Sequence, residues 1–242
     1  MELASRVALV TGGGRRVGQA LALALAKRGA HLAIHYNSSS AGAQETQQAA
    51  RKLGVQAEIF QADLENPNAA RQLPETVAQH FQRLDVLVNS AGIMTKATVE
   101  ETTPELWDNV MAVNLRSYFF TVQGALPWLR KAKGKVINLA DVGGLEPWPR
   151  YAAHCVSKAG VVMLTKTLAL ALAPDVTVNA IAPGAVLPPD EWDAKAKEHL
   201  ASTTPLKRLG SAEDVAQAMI YLLEADYVTG DTLVVDGGRL IR

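Results

Sequence analysis

Along the chain, short runs of β-branched and other apolar residues alternate with longer segments whose apolar positions return every three or four residues. The runs fall at 7–10, 31–36, 56–61, 86–88, 136–139, 176–180 and 233–235, and their length and composition predict seven strands. Most of the intervening segments carry Ala, Leu, Gln, Lys and Glu at helical spacing. Strand, helix and strand repeated in this way join parallel strands through right-handed crossovers. The predicted fold is α/β, a doubly wound parallel sheet of seven strands.

No proline tract, charged linker or internal repeat divides the 242 residues, so residues 1–242 are expected to form one domain. A hydrophobic content of 48% supplies a core, and 24 basic side chains balance 24 acidic ones. Without excess charge the chain is a poor ligand for a nucleic-acid backbone or an anionic membrane. The one cysteine, Cys155, can neither close an internal disulfide nor make a metal site alone, which suits a reducing compartment. The opening apolar run lacks the pattern of a secretory leader. The apolar stretches at 21–26 and 161–173 are too short for a membrane span or, in the second, interrupted by Lys166, so a cytoplasmic protein is expected. The least regular stretch, 183–205, holds four of the eleven prolines and Trp192. It follows a strand, where a substrate-covering loop sits in this architecture, although an ordinary surface excursion would read the same way.

Candidate chemistry begins where the first strand runs into Thr11-Gly12-Gly13-Gly14-Arg15-Arg16-Val17-Gly18 and then a helical segment at 19–27. Glycines permit a tight turn and close backbone approach, and the amides and positive dipole end of a helix receive a pyrophosphate. Strand, turn and helix together predict a Rossmann-like dinucleotide site. Cofactor choice falls to the end of the second strand, where a carboxylate would bind a ribose 2′-hydroxyl and repel a 2′-phosphate. Tyr36, Asn37 and Ser38 stand there instead. Cations at a helix N-terminus are unfavourable unless they answer an anion, so Arg15 and Arg16 point to NADPH over NADH.

These residues, with others spread over nearly the whole chain, resemble the short-chain dehydrogenase/reductase family. The turn resembles its TGxxxGxG, Asp63-Leu64 its adenine-binding acidic pair, and Asn89-Ser90-Ala91-Gly92 its NNAG segment. Asn114 lies in VMAVNL, Ser157-Lys158 in a catalytic-helix motif, Pro183-Gly184 after the sixth strand, and Asp236-Gly237-Gly238 near the end. The resemblance implies that Gly12, Arg15, Arg16, Val17, Gly18, Tyr36, Asn37 and Ser38 meet the cofactor. It implies the same of Asp63, Leu64, Asn89, Ala91, Gly92, Lys158, Pro183, Gly184 and Val186. It also implies that Asn114 supports Lys158 through water, and that the chain is a homotetramer whose dimer face uses the helical segments at 106–129 and 151–172. Within the family, pteridine and dihydromonapterin reductases look closest, through Arg16 at the sixth position of the turn, the pair His35-Tyr36, Asp141 where most members have Ser, and the closing DGGRLIR. Hydride transfer to a C=N or C=O bond follows from that likeness, with Met94, Asp141 and Tyr151 beside the substrate.

One departure stands out, because the family's YxxxK reads His154-Cys155-Val156-Ser157-Lys158. In the usual mechanism a tyrosine hydroxyl donates the proton and the lysine one turn on lowers its pKa. An imidazole nitrogen can donate near neutral pH, but it stops about 2 Å short of where a phenolic oxygen would sit, and Lys158 opposes the imidazolium. Three readings of His154 stay open: a replacement acid, a hydrogen-bonding bystander in an active site, or a site impaired by the loss of tyrosine. Asp141 either orients a pterin-like ring and relays protons or caps the following turn. Tyr151, three residues before His154, either shares its helix face in the substrate pocket or packs.

A C=N nitrogen is more basic than a ketone oxygen and tolerates a weaker acid. Against pterins, Ile93 and Met94 stand where an aromatic side chain would stack on the ring, leaving Trp148 and Trp192 as alternative walls. Three functions follow: a pteridine-reductase-like enzyme, a carbonyl or 3-oxoacyl-thioester reductase, and a catalytically impaired dinucleotide-binding protein. His31, His80 and His199 lack ligand spacing, and no metal is expected.

Overall fold

The computed structural model describes residues 1–186 and 193–241. Strands β1 (Val7–Val10), β2 (His31–Tyr36), β3 (Ala57–Gln61), β4 (Val86–Asn89), β5 (Lys135–Leu139), β6 (Thr177–Pro183) and β7 (Thr232–Val235) form one sheet in the order β3-β2-β1-β4-β5-β6-β7. Every neighbouring pair is parallel. Strand order reverses between β1 and β4, and a crevice opens beyond the carboxyl ends of strands at such a switch point. The central strands β1, β4 and β5 are buried along their whole length, as continuous apolar runs covered on both faces must be.

Helices α1 (Arg16–Lys27), α2 (Ser40–Lys52) and α8 (Ala212–Glu224) bury their apolar stripes in the core on one face. On the other lie α3 (Pro67–Phe81), α5 (Ser117–Ala132) and α6 (Ala152–Leu172), with α4 (Pro104–Met111) leaning on α6. The segment expected as one helix over 106–129 is α4 and α5 joined by a π-helical turn, Ala112–Arg116. The stretch at 183–205 is less irregular than its prolines suggest. It contains α7 (Ala194–Thr203), started by Asp193, whose carboxylate accepts from Ala196 N at 2.7 Å. Pro188, Pro189 and Trp192 lie outside the described residues.

Helix α6 corrects the reading of 161–173 as an apolar stretch interrupted by Lys166. At 21 residues and mean hydropathy 1.5 it is long and apolar enough to cross a membrane by length and composition. It instead packs on β6 and carries buried Ser157 and Lys158 toward the sheet, the place of a core helix in a layered α/β body.

Candidate active site at the sheet switch point

The chain leaves β1 at Thr11, whose hydroxyl oxygen accepts from Ser90 N at 2.9 Å and Ala91 N at 3.0 Å. The first turn is thereby tied to the segment after β4. Gly12 has φ +66°, and a Cβ there would stand 3.0 Å from Ala91 Cα, while a Cβ on Gly18 would stand 2.2 Å from Gly12 O. Side chains at these two positions would fill the cradle. Gly12 N donates to His35 Nδ1 at 3.1 Å, and His35 Nε2 faces Ala62 O at 3.0 Å. A carbonyl can only accept, so Nε2 carries the proton. Burial keeps this ring neutral, its pKa pushed down to about 4. The sequence marks His35 only by likeness, whereas the structure makes it the brace under the turn.

Arg15, at the N-cap of α1, carries only donors and makes no side-chain capping bond, which leaves the first-turn amides, a site that binds anions, to a ligand. Arg16 takes φ +51° where the TGxxxGxG pattern has glycine, a left-handed conformation costing about 1–2 kcal/mol in other residues. Both arginines are exposed, Val17 packs into the core, and Asn37 and Ser38 are exposed beyond half-buried Tyr36. A Cβ on Gly42 would stand 2.2 Å from Gly14 O, so the start of α2 closes directly on the turn. Asp63 is exposed and accepts from Glu65 N at 3.0 Å, with Leu64 buried beneath it. Across the crevice, buried Pro183 ends β6, Gly184 packs on Asp236, and Val186 is buried beside Gly210. A nicotinamide dinucleotide fits this set of glycines and helix amides: the turn would hold the diphosphate, and 91–92, Lys158 and 183–186 the nicotinamide half.

Asn89 departs from expectation. Its side chain is buried, bonding Asn138 Oδ1 at 3.0 Å and accepting from Thr121 Oγ1 at 2.8 Å, so it holds the sheet below the site and does not face a cofactor. Asn114 sits in the π turn. Its Oδ1 accepts from Ile93 N at 2.8 Å, and its Nδ2 donates to Ile93 O at 2.9 Å and Ser157 Oγ at 3.1 Å. It thus clamps the segment after β4, with Gly92 between it and the lysine: a Cβ there would stand 3.4 Å from Asn114 Oδ1 and 3.8 Å from Lys158 Nζ.

Lys158 Nζ donates to Leu139 O at 2.6 Å and lies 3.5 Å from Tyr118 Oη and 5.3 Å from that ring's centroid. Burial lowers its pKa to about 8, against an opposing pull from Asp141. Tyr118 was missed in the sequence. No motif marks it, yet its hydroxyl reaches Ala91 O at 3.0 Å and Leu139 O at 3.3 Å, bridging the ends of β4 and β5 under the lysine. Burial pushes its pKa up.

The buried imidazole of His154 faces two acceptors. Nδ1 is 3.4 Å from Ile93 O, and Nε2 is 3.8 Å from Asp141 Oδ1 with no hydrogen-bond partner among the described residues. The same Asp141 oxygen accepts from Gly143 N at 2.7 Å, so this residue both caps its turn and faces the site. Tyr151 does not share a helix face with His154, because α6 starts at Ala152 and Tyr151 is its N-cap. Its ring meets Trp148 edge-on at 6.0 Å. Met94 is exposed.

Comparison with known proteins agrees with this geometry. Residues 13–239 match the family described as enoyl-(acyl carrier protein) reductase. The 3-oxoacyl-(acyl-carrier-protein) reductase of Staphylococcus aureus is 36% identical over 241 residues, covering 97% of this chain and 98% of that protein. The chain belongs to the short-chain dehydrogenase/reductase family. Among solved members, acetoin dehydrogenase from Salmonella typhimurium matches with TM-score 0.89 and 35% identity, over 98% of this chain and 96% of that one. A blue fluorescent protein from a metagenomic library, solved with NADPH, matches with TM-score 0.92 and 30% identity over 99% of each chain. This short-chain dehydrogenase/reductase is an oxidoreductase built for a nicotinamide dinucleotide. The relatives named are not pteridine reductases, so the narrower likeness rests on Arg16, the pair His35-Tyr36, Asp141 and the C-terminal residues.

Proposed function

We propose that the chain is an NADPH-dependent reductase in which His154 and Asp141 together replace the tyrosine acid. The observation that carries this is the unpartnered Nε2 of His154 facing Asp141 Oδ1 at 3.8 Å while Nδ1 faces Ile93 O. Carboxylate and carbonyl oxygens accept and do not donate, so a ring nitrogen turned toward either of them is placed to present an N–H. Asp141 lies beside Nε2, and a substrate atom that reaches this corner would take its proton from an N–H there. The bound reduced nicotinamide supplies the hydride. Preference for NADPH is supported by Arg15 and Arg16 and by the lack of an acidic side chain at 36–38.

Asp141 also supports a substrate class. A serine hydroxyl donates to a ketone oxygen, but a carboxylate facing that oxygen sets acceptor against acceptor. It pairs instead with an N–H beside a C=N bond, as in a dihydropteridine. Reduction of a 3-oxoacyl thioester is the second reading, favoured by the likeness to the Staphylococcus aureus reductase. NADPH oxidation with a dihydropterin and with a 3-oxoacyl thioester tests both. Turnover of the first is expected, falling by about 10²-fold or more in His154→Gln, the size of a general-acid contribution. Thioester turnover alone selects the second reading. Undiminished turnover in His154→Gln removes His154 as the acid, and turnover that appears only in His154→Tyr means the site is impaired.

A further inference from the structure

We propose that Trp148 is the positioning residue of His154, an inference that rests on the reading of His154 as the acid. The two rings are parallel to within 5°, with centroids 6.1 Å apart. Hydrogen bonds alone do not fix the imidazole, since its one contact is long and its Nε2 has no partner among the described residues. The terminal torsion of histidine is broad and two-fold, so an unsupported ring swings Nε2 away from Asp141. A flat surface lying parallel to the ring limits that swing. The face of an indole also attracts the doubly protonated form.

Trp148 is itself held on several sides. Its Nε1 donates to Glu146 Oε1 at 2.9 Å, and the same oxygen lies 3.7 Å from Arg239 Nε in the C-terminal turn Arg239–Ile241. Tyr151 meets the indole edge-on. Beneath it, a Cβ on Gly143 would stand 3.0 Å from indole Cε3 and Cζ3, so glycine lets the indole lie across the turn that carries Asp141. The charged and titratable groups around His154 are Asp141 at the end of β5, Lys158 and Cys155 on its own helix, and Glu146 with Arg239 behind the indole.

Protonated imidazole quenches an indole stacked on it, which gives a readout that needs neither cofactor nor substrate. Trp148 is one of four tryptophans, and the difference between wild type and Trp148→Phe isolates its emission. That difference is expected to rise in His154→Gln, which takes the quenching ring away. A difference signal unchanged in His154→Gln overturns the proposal while leaving the reductase reading intact. In turnover, Trp148→Phe is expected to keep kcat within about threefold. Trp148→Leu should lower kcat by about 3- to 10-fold with KM little changed, the worth of one aromatic pair. A loss confined to KM makes the indole a substrate wall and overturns the positioning role. Should the leucine variant fail to fold, the fluorescence result decides alone.

Discussion

Arg16 pays a backbone cost for its position, and its replacement separates fold from function. At φ +51° it carries about 1–2 kcal/mol of left-handed strain, whereas glycine adds about 0.5–1 kcal/mol of unfolded-chain entropy. Arg16→Gly relieves this strain but also removes the interaction of the side chain, so stability in urea is expected to stay within about 1 kcal/mol of wild type. It should also weaken NADPH binding about 10- to 100-fold by calorimetry, the loss of a charge-assisted hydrogen bond, with NADH unaffected. Equal weakening of both cofactors would mean that Arg16 does not read the 2′-phosphate. Lys158 offers the converse case. Its pKa falls from 10.5 unfolded to about 8 folded, so between those values the unfolded chain binds more protons and stability rises with pH. Below pH 8 the full penalty applies, about 3 kcal/mol from a shift of that size. Lys158→Met is expected to be more stable than wild type at pH 7, to lose the rise between pH 8 and 10.5, and to be inactive. A variant less stable at pH 7 would mean that the bonds to Leu139 and Tyr118 outweigh the burial of charge.

At the scale of elements, strand positions were legible because buried parallel strands are continuous apolar runs, and all seven predicted runs overlap β1 to β7. Helix boundaries were less so. Regular apolar spacing across 106–129 hides the π turn, whose function shows only once Asn114 is seen reaching Ile93. The three-residue spacing of Tyr151 and His154 implies a shared face only inside a helix, and α6 begins between them. Cofactor glycines were legible because chemistry restricts their type; Tyr118, the backbone of Ile93 and the place of Trp148 against His154 were not, because contacts between residues distant in the chain leave no local pattern. His35 joins β2, the phosphate turn and Ala62, and its depressed pKa carries a prediction for that whole corner. Between pH 6.5 and about 4 the unfolded chain takes up a proton that the folded ring refuses, so the stability His35 confers is full above pH 6.5 and is lost as pH falls toward 4. The loss amounts to about 3 kcal/mol for such a shift. In His35→Asn, urea unfolding should lose most of this acid dependence. A retained slope would place the acid sensitivity elsewhere.

At the scale of the whole molecule, α6 has one more face than the monomer uses. Ala153, His154, Ser157, Lys158, Val161, Thr165, Leu168 and Leu172 are buried toward the sheet and neighbouring elements. Val156, Met163 and Leu170 recur every seventh residue on another side, exposed by 46, 61 and 85%. A regular apolar stripe left in water marks an interface, and an isologous contact lets two copies of one stripe cover each other. Such a contact would supply one of the interfaces a homotetramer requires, and it would brace the helix that carries His154 and Lys158 from behind. Light scattering of the wild type is expected to give a multiple of 25.8 kDa, and Met163→Lys with Leu170→Lys should halve the mass or more by burying unpaired charge in that contact. Since the stripe lies on the helix of the acid and the lysine, the separated subunits should also lose kcat more than cofactor affinity. A monomeric wild type, or a double variant of unchanged mass, would show that the stripe is not where the copies meet.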